Sequence, residues 1–154
     1  MNLHYFIFIL LAVFANGDPS SLSDPVLFCD GCFAMVSEIE KDMSSNHGRK
    51  LMERIETSLA NVCSTDRLRA YKFSPPTQVK TCTAILAKYR MSLTNILREQ
   101  YRGGKTSSVG TLTNLFCTEG TKACEGREVP TLQQRKEREE AKKKSEEKKE
   151  NEEL

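Results

Sequence analysis

Two cysteines three residues apart, in the tetrapeptide Cys29-Asp30-Gly31-Cys32, are the residues of this chain whose type and spacing best suit chemistry. In thiol-disulfide oxidoreductases such a pair lies at a helix N-terminus, after a strand, where unpaired backbone amides lower the pKa of the first cysteine. Here Asp24-Pro25 is typical of a helix start, with an aspartate N-cap and proline at the first helical position. Cys29 then lies more than one turn inside the helix, with no strand before it. The pattern favours structural bonds, and redox activity of Cys29 and Cys32 is the alternative.

The other reactive residue types do not combine into a recognisable site. His47 is the one histidine that follows the N-terminal signal segment, and it lies in a predicted polar loop. A zinc site would need more histidines or a second Cys-x-x-Cys pair. There is also no glycine-rich phosphate loop and no Ser-His-Asp set. The sequence therefore predicts a non-enzymatic protein with no metal, no cofactor and no catalytic residue.

The elements that carry the cysteines are predicted to be helices, because apolar residues recur at three- and four-residue steps and no strand alternation occurs. The first helix follows Asp24 and ends at Ser44 to Gly48, the second begins near Arg49, the third is capped by Thr77 and stops at Gly103-Gly104, and a short fourth unit follows. The fold class is thus all-α, with four or five helices. Predicted core positions are Phe28, Cys32, Met35, Val36, Ile39 and Met43; Leu51, Met52, Ile55, Leu59 and Val62; and Leu86, Leu93, Ile96 and Leu97.

Six cysteines confined to one stretch of about a hundred residues are typical of a disulfide framework formed in an oxidising compartment. Fifteen connectivities are possible. Antiparallel docking of the first and last elements favours a nested arrangement, in which the inner bond contributes about 3 kcal/mol by chain entropy and each outer bond about 4 to 5 at most. The favoured pairs are Cys29 with Cys124, Cys32 with Cys117, and Cys63 with Cys82.

The two ends of the chain predict a secretory-pathway protein. Residues 1–17 have the apolar core and small terminal residues of a cleavable signal peptide. The apolar run from Tyr5 to Phe14 is shorter than the ~20 residues needed to span a bilayer, and no other stretch is long enough either. Residues 131–154 form a charged segment that is predicted to be disordered, with a fraying, solvated helix as the alternative. Its balanced charges argue against nucleic-acid binding. The chain stops on Asn151, Glu152, Glu153 and Leu154, a relaxed form of the retrieval signal read by a receptor in the endoplasmic reticulum.

The cysteine pattern resembles that of a known family. The features that match the Canopy family, especially its short plasma-cell-type member, are Cys29-Asp30-Gly31-Cys32 opening a helix, Thr81-Cys82 beginning another, Leu115-Phe116-Cys117-Thr118-Glu119-Gly120 before Ala123-Cys124, and a charged tail ending in Glu-Leu. The resemblance covers about Pro25 to Cys124 and the terminus. It implies a saposin-like domain over residues 18–130.

The same resemblance implies a co-chaperone of the endoplasmic-reticulum lumen. Its expected partners are client secretory or receptor proteins, the lumenal heat-shock chaperone of the ninety-kilodalton class, and the retrieval receptor. Because Asn151 and Glu152 replace the usual Lys-Asp, partial secretion is expected alongside residence in the lumen. The alternative from the fold is a secreted saposin-like protein that binds lipid or disturbs membranes.

Overall fold

The fold is described by a computed structural model that covers residues 20–45 and 48–129 and positions 136, 137, 140 and 144. The signal segment, His47, the retrieval-like terminus and most of residues 131–154 lie outside this description. Within it every regular element is helical and no strand occurs, which confirms the all-α prediction. The elements are α1 (Ser20–Ser23), α2 (Pro25–Ser45), α3 (Leu51–Asn61), α4 (Thr65–Leu68), α5 (Pro75–Tyr101), a 3₁₀ turn (Arg102–Gly104), α6 (Val109–Leu112) and a π-helical segment (Thr113–Gly120).

Helix α2 begins where the sequence predicts it. The Asp24 carboxylate accepts hydrogen bonds from the backbone N–H groups of Val26, at 2.9 Å, and Leu27, at 3.2 Å. These are donors that the first turn of a helix leaves without intrahelical partners. Cys29 is consequently the fifth residue of α2, past the N-terminal turn.

Helix α2 is the centre of the molecule. Every residue from Cys29 to Ile39 is buried, whereas the sequence predicts a single apolar face. The reason is that α5, α3, α4, α6 and the π-helical segment all pack around it. Its buried polar side chains are hydrogen bonded: Ser37 donates to the Phe33 carbonyl at 2.8 Å, and Glu38 accepts from the Tyr71 hydroxyl at 2.7 Å.

Helix α5 starts earlier than predicted. Thr77 is not its cap: the helix begins at Pro75, with prolines in its first two positions and Ser74 at the N-cap. Prolines fit there because the first-turn N–H groups have no intrahelical acceptor in any case. The predicted stop is confirmed, since Gly103 and Gly104 adopt φ values of 69° and 79°, which glycine allows without strain.

Helix α5 runs for 27 residues and buries one side against α2. Leu93 and Leu97 lie in the core, whereas Leu86 and Ile96 are only partly buried at its border, contrary to the prediction that they are core residues. Met52, also predicted to be buried, is exposed on α3. Periodicity locates the apolar side of a helix, but the width of the covered strip depends on how many neighbours pack there. Among the described residues, no helix has the length and apolar character needed to cross a membrane.

The last element continues α6 as a π-helix. Its wider turn appears at the end, where the Thr121 N–H donates to the Phe116 carbonyl five residues earlier at 2.8 Å. The chain then turns through Lys122, with φ of 61°, and returns so that the Cys124 N–H donates to the Cys117 carbonyl at 3.0 Å. Phe116 also packs edge-on against Tyr89 of α5, with ring centroids 6.4 Å apart. This geometry presents both late cysteines to the start of α2.

A matched pair on α5 tests the orientation of this helix. Leu93 is 1% exposed and Met91 is 75% exposed. Leu93→Ala is expected to lower the free energy of unfolding by about 2 to 5 kcal/mol, because it leaves a cavity in the core. Met91→Ala is expected to change it by about 0.5 kcal/mol or less. Urea unfolding followed by circular dichroism measures both, and equal effects would contradict the packing described.

Tyr101 gives the fold a specific alkaline sensitivity. Burial raises the pKa of its phenol to about 12; the negative charge of Glu40 adds to the shift and Arg54 opposes it. The unfolded phenol ionises near pH ~10, so between about pH 10 and 12 the unfolded state loses its proton first and stability falls as pH rises. Through this shift, Tyr101 is expected to lower the free energy of unfolding by roughly 2 to 3 kcal/mol between these two pH values.

The Tyr101 hydroxyl has no hydrogen-bond partner within the described part of the chain, so Tyr101→Phe is expected to leave stability at pH 7 nearly unchanged. The variant is expected to lose less stability than the wild type between pH 10 and 12 in short urea titrations. Titration of tyrosine absorbance at alkaline pH provides the control. The tyrosine that ionises at the highest pH in the wild type should be missing from the titration of Tyr101→Phe. An identical alkaline loss in both proteins would refute the effect.

Candidate functional site

All six cysteines are engaged in disulfides. The sulfur atoms of Cys29 and Cys124 are 2.00 Å apart, those of Cys32 and Cys117 2.02 Å, and those of Cys63 and Cys82 2.03 Å. These are the three pairs of the nested arrangement. The two outer bonds join the start of α2 to the end of the folded region, over 95 and 85 residues, and the inner bond joins the end of α3 to α5 over 19.

The Cys-x-x-Cys pair is therefore split between two partners. Cys29 and Cys32 are both buried, and each is bonded to the C-terminal segment instead of to the other. One helical turn separates them on α2, so they lie on the same side of the helix. In this arrangement neither sulfur is a thiolate, the form that attacks disulfides.

The two residues between these cysteines are equally engaged. Asp30, 3% exposed, accepts a hydrogen bond of 2.5 Å from the side-chain amide of Gln78, which is fully buried on α5. A buried carboxylate is tolerated only where such donors compensate for its lost hydration. Asp30 thus ties the first turns of α2 to the first turns of α5.

Gly31 allows the two helices to approach closely. A Cβ atom built on Gly31 would lie 2.5 Å from Cγ2 of Thr81 and 3.2 Å from its Cβ. Thr81 is itself fixed, since its hydroxyl donates to the Thr77 carbonyl at 3.0 Å. A larger residue fits at position 31 only if the Thr81 side chain shifts or the helices move apart.

Each residue of the tetrapeptide therefore has its own structural contact. On one side of α2, Cys29 and Cys32 form disulfides. On the other side, Asp30 accepts a buried hydrogen bond and Gly31 allows the close approach of Thr81. The sequence does not predict the contacts of Gln78, and it marks Thr81 only as the residue before Cys82 in the family resemblance. A polar pair three residues apart in a predicted helix is usually assigned to solvent. The available signal was that Gln78, Thr81 and Cys82 follow the three- and four-residue spacing that continues to Ile85.

No group of three or more His, Cys, Asp or Glu side chains in the described ranges is arranged to hold a metal ion. The predicted loop position of His47 falls outside those ranges. A polar cavity does occur elsewhere, beside α3, and is lined chiefly by arginine, serine, threonine and asparagine.

The close approach of Gly31 and Thr81 predicts that a substitution at Gly31 destabilises the fold and that a second substitution at Thr81 restores part of the stability. Gly31→Ala is expected to lower the free energy of unfolding by about 1 to 3 kcal/mol, because the new methyl group overlaps Thr81. Thr81→Ser removes the overlapping Cγ2 atom and keeps the hydroxyl, so the double variant should regain part of the loss.

Gly110→Ala is the matched control for the Gly31 variant, since Gly110 is also helical and its nearest added contact is 3.7 Å, to Ser108 Oγ. It should be neutral or stabilising by up to about 1 kcal/mol, from helix propensity alone. Chemical denaturation of the wild type, the two single variants at positions 31 and 81, their double variant and Gly110→Ala measures these differences in the free energy of unfolding. A Gly31→Ala variant as stable as the Gly110→Ala variant would show that the helices are not in contact there.

Comparison of the chain with protein-family models, with curated proteins and with solved structures found no match.

Proposed function

We propose that this chain is a non-catalytic co-chaperone of the endoplasmic-reticulum lumen that assists the folding, assembly or export of disulfide-bonded secretory or receptor proteins. The observation that carries the proposal is that Cys29 and Cys32 are bonded to two distant cysteines and buried. A protein that worked through a Cys-x-x-Cys centre would need these sulfurs as an exposed, exchangeable pair. Their structural use favours action through binding.

The family-level part of the proposal is that the cross-linked helices form a saposin-like domain of the Canopy type. Its support is the nested order of the bonds, with the first two cysteines joined to the last two and one bond between the middle helices. The resemblance in Cys29-Asp30-Gly31-Cys32 and in the residues around Cys117 points the same way. Both statements concern cysteine placement, which is the feature that defines such small disulfide-rich domains.

The proposed localisation, the lumen of the endoplasmic reticulum, is supported by the sequence at both ends. The signal-like residues 1–17 would direct entry into the secretory pathway, and Glu153-Leu154 retains the end of the retrieval signal. Three disulfides are compatible with an oxidising compartment. The proposed partners are client proteins, the lumenal ninety-kilodalton-class heat-shock chaperone and the retrieval receptor.

The test is rescue in secretory cells depleted of the protein. Re-expression of the intact chain should restore the secretion of disulfide-bonded cargo, measured by pulse-chase, with most of the chain retained in the cell and a minor fraction in the medium. Deletion of Asn151 to Leu154 should shift most of the chain to the medium, because the retrieval signal is lost. The deleted protein is expected to unfold at the same urea concentration as the intact one, since the last described core residue is Cys124.

Two assays on the purified oxidised protein distinguish the alternatives. The first assay measures whether the protein catalyses the reduction of insulin disulfides by glutathione. Catalysis that is lost when the protein's cysteines are alkylated during the reaction would identify the protein as a thiol-disulfide oxidoreductase and contradict the proposal. Binding to anionic lipid vesicles with release of their contents would replace it with a lipid-active protein. Cargo secretion that is unchanged by depletion would also contradict the proposal.

A further inference from the structure

A polar cavity of about 160 Å³ lies along one side of α3. Arg54, Thr57, Ser58 and Asn61 recur at helical spacing and line it from α3. Asp42 of α2 and Arg67, the third residue of α4, line it from the opposite side. Three helices thus converge on a small space whose walls carry hydrogen-bonding groups.

The carboxylate in this lining is already neutralised. Both terminal nitrogens of Arg67 donate to Asp42, one of them to Oδ2 at 2.8 Å, and the Ser58 hydroxyl donates to Oδ2 at 2.7 Å. The hydrogen bond that Arg67 donates to Asp42 is the main cause that raises the pKa of Arg67, against the opposing effect of burial. The pair contributes no net charge to the cavity.

Two further arginines supply positive charge without a close carboxylate in the lining. Arg54 donates through Nη2 to the Met43 carbonyl, and its buried Nε has no hydrogen-bond partner in the described ranges. Arg49, at the mouth, has Glu53 as its ion-pair partner at 3.9 Å, and both side chains are more than half exposed. An exposed pair at that distance is worth little. The cavity walls therefore keep a charge of about +2 by this count of charged side chains.

Other acidic groups near the cavity are engaged elsewhere. Glu38 of α2 lies 2.7 Å from the Lys41 ammonium and accepts from Tyr71, and Glu40 accepts from the Ser44 hydroxyl at 2.5 Å. Neither lines the cavity. Their negative field weakens the positive potential but does not occupy the donors.

We propose that this cavity binds a phosphate-type oxyanion, supplied as inorganic phosphate or as the phosphate group of a monoester. Arginines present several donors in a planar fork that suits phosphate oxygens, and the Thr57 hydroxyl in the lining is a neutral donor. The Asn61 amide already donates to the Thr57 carbonyl at 2.8 Å. A phosphate monoester carries a charge of about −1.5 to −2 at pH 7. It would pair with the guanidinium groups of Arg54 and Arg49, and would compete with the exposed Glu53 carboxylate for Arg49. The cavity is smaller than the ~300 to 1,000 Å³ of pockets that enclose whole small molecules, so a single anionic group is the fitting size.

This site is independent of the co-chaperone proposal and is tested on the purified chain from Asp18 to Leu154. Isothermal titration with inorganic phosphate at constant ionic strength should give saturable binding. Phosphate should also raise the melting temperature more than chloride at equal ionic strength, because it binds the folded state alone. Arg54→Gln should raise the dissociation constant for phosphate about tenfold or more, which is the loss of affinity typical of one charge-assisted hydrogen bond.

Arg49→Gln is the second variant, because Arg49 is exposed and its loss leaves the core intact. It should also weaken binding while the protein unfolds at the wild-type urea concentration. The matched control is Arg90→Gln on α5, an arginine that pairs with Glu56 at 2.5 Å outside the cavity and should leave binding unchanged.

Phosphoserine and glycerol phosphate distinguish the source of the anion. Competition with inorganic phosphate by these monoesters indicates a phosphorylated ligand, and binding of inorganic phosphate alone indicates the free ion. Stabilisation by phosphate no greater than that by chloride would overturn the proposal. So would an equal loss of binding in the Arg90→Gln control.

Discussion

The burial of α2 on all sides is the constraint on which the rest of the structure depends. A helix covered around its whole circumference needs neighbours on every side, and this chain has few residues with which to supply them. Helix α5 covers one side through a close contact that only glycine at position 31 permits. The C-terminal segment covers another side and is held there by covalent bonds. Small domains commonly need such cross-links, because their cores bury too little surface to be stable alone.

The same constraint explains why a tetrapeptide that resembles a redox motif is used structurally. At the centre of the molecule, Asp30 and Gly31 face α5 while Cys29 and Cys32 bond to the C-terminal segment. Every position in the motif is already committed to a neighbour. The polar cavity beside α3 lies away from this crowded region and has groups that remain available, so the two ends of α2 differ in what they offer to other molecules.

Much of this fold follows from local sequence signals. Asp24-Pro25 marks the start of α2, and Gly103-Gly104 marks the end of α5, because caps and positive φ values depend on single residues. The exposure of Met52 and the partial burial of Leu86 do not follow from periodicity, since they depend on where neighbouring helices end. The contact between Asp30 and Gln78 joins residues 48 positions apart and has no local signature. The π-helical turn at Phe116 likewise arises where the segment docks on α2.

The unequal spans of the three bonds set the order in which they can form during oxidation. Closing a loop costs about 0.6 kcal/mol more for each doubling of its length, so the 19-residue span between Cys63 and Cys82 forms about tenfold more readily than the 95-residue span of Cys29 and Cys124. Cys29 and Cys32 meet each other more easily still, long before Cys117 and Cys124 have been synthesised. Early oxidation therefore favours a local bond that is absent from the final structure. Wherever that local bond forms, thiol-disulfide exchange has to open it before Cys29 and Cys32 can bond to their late partners.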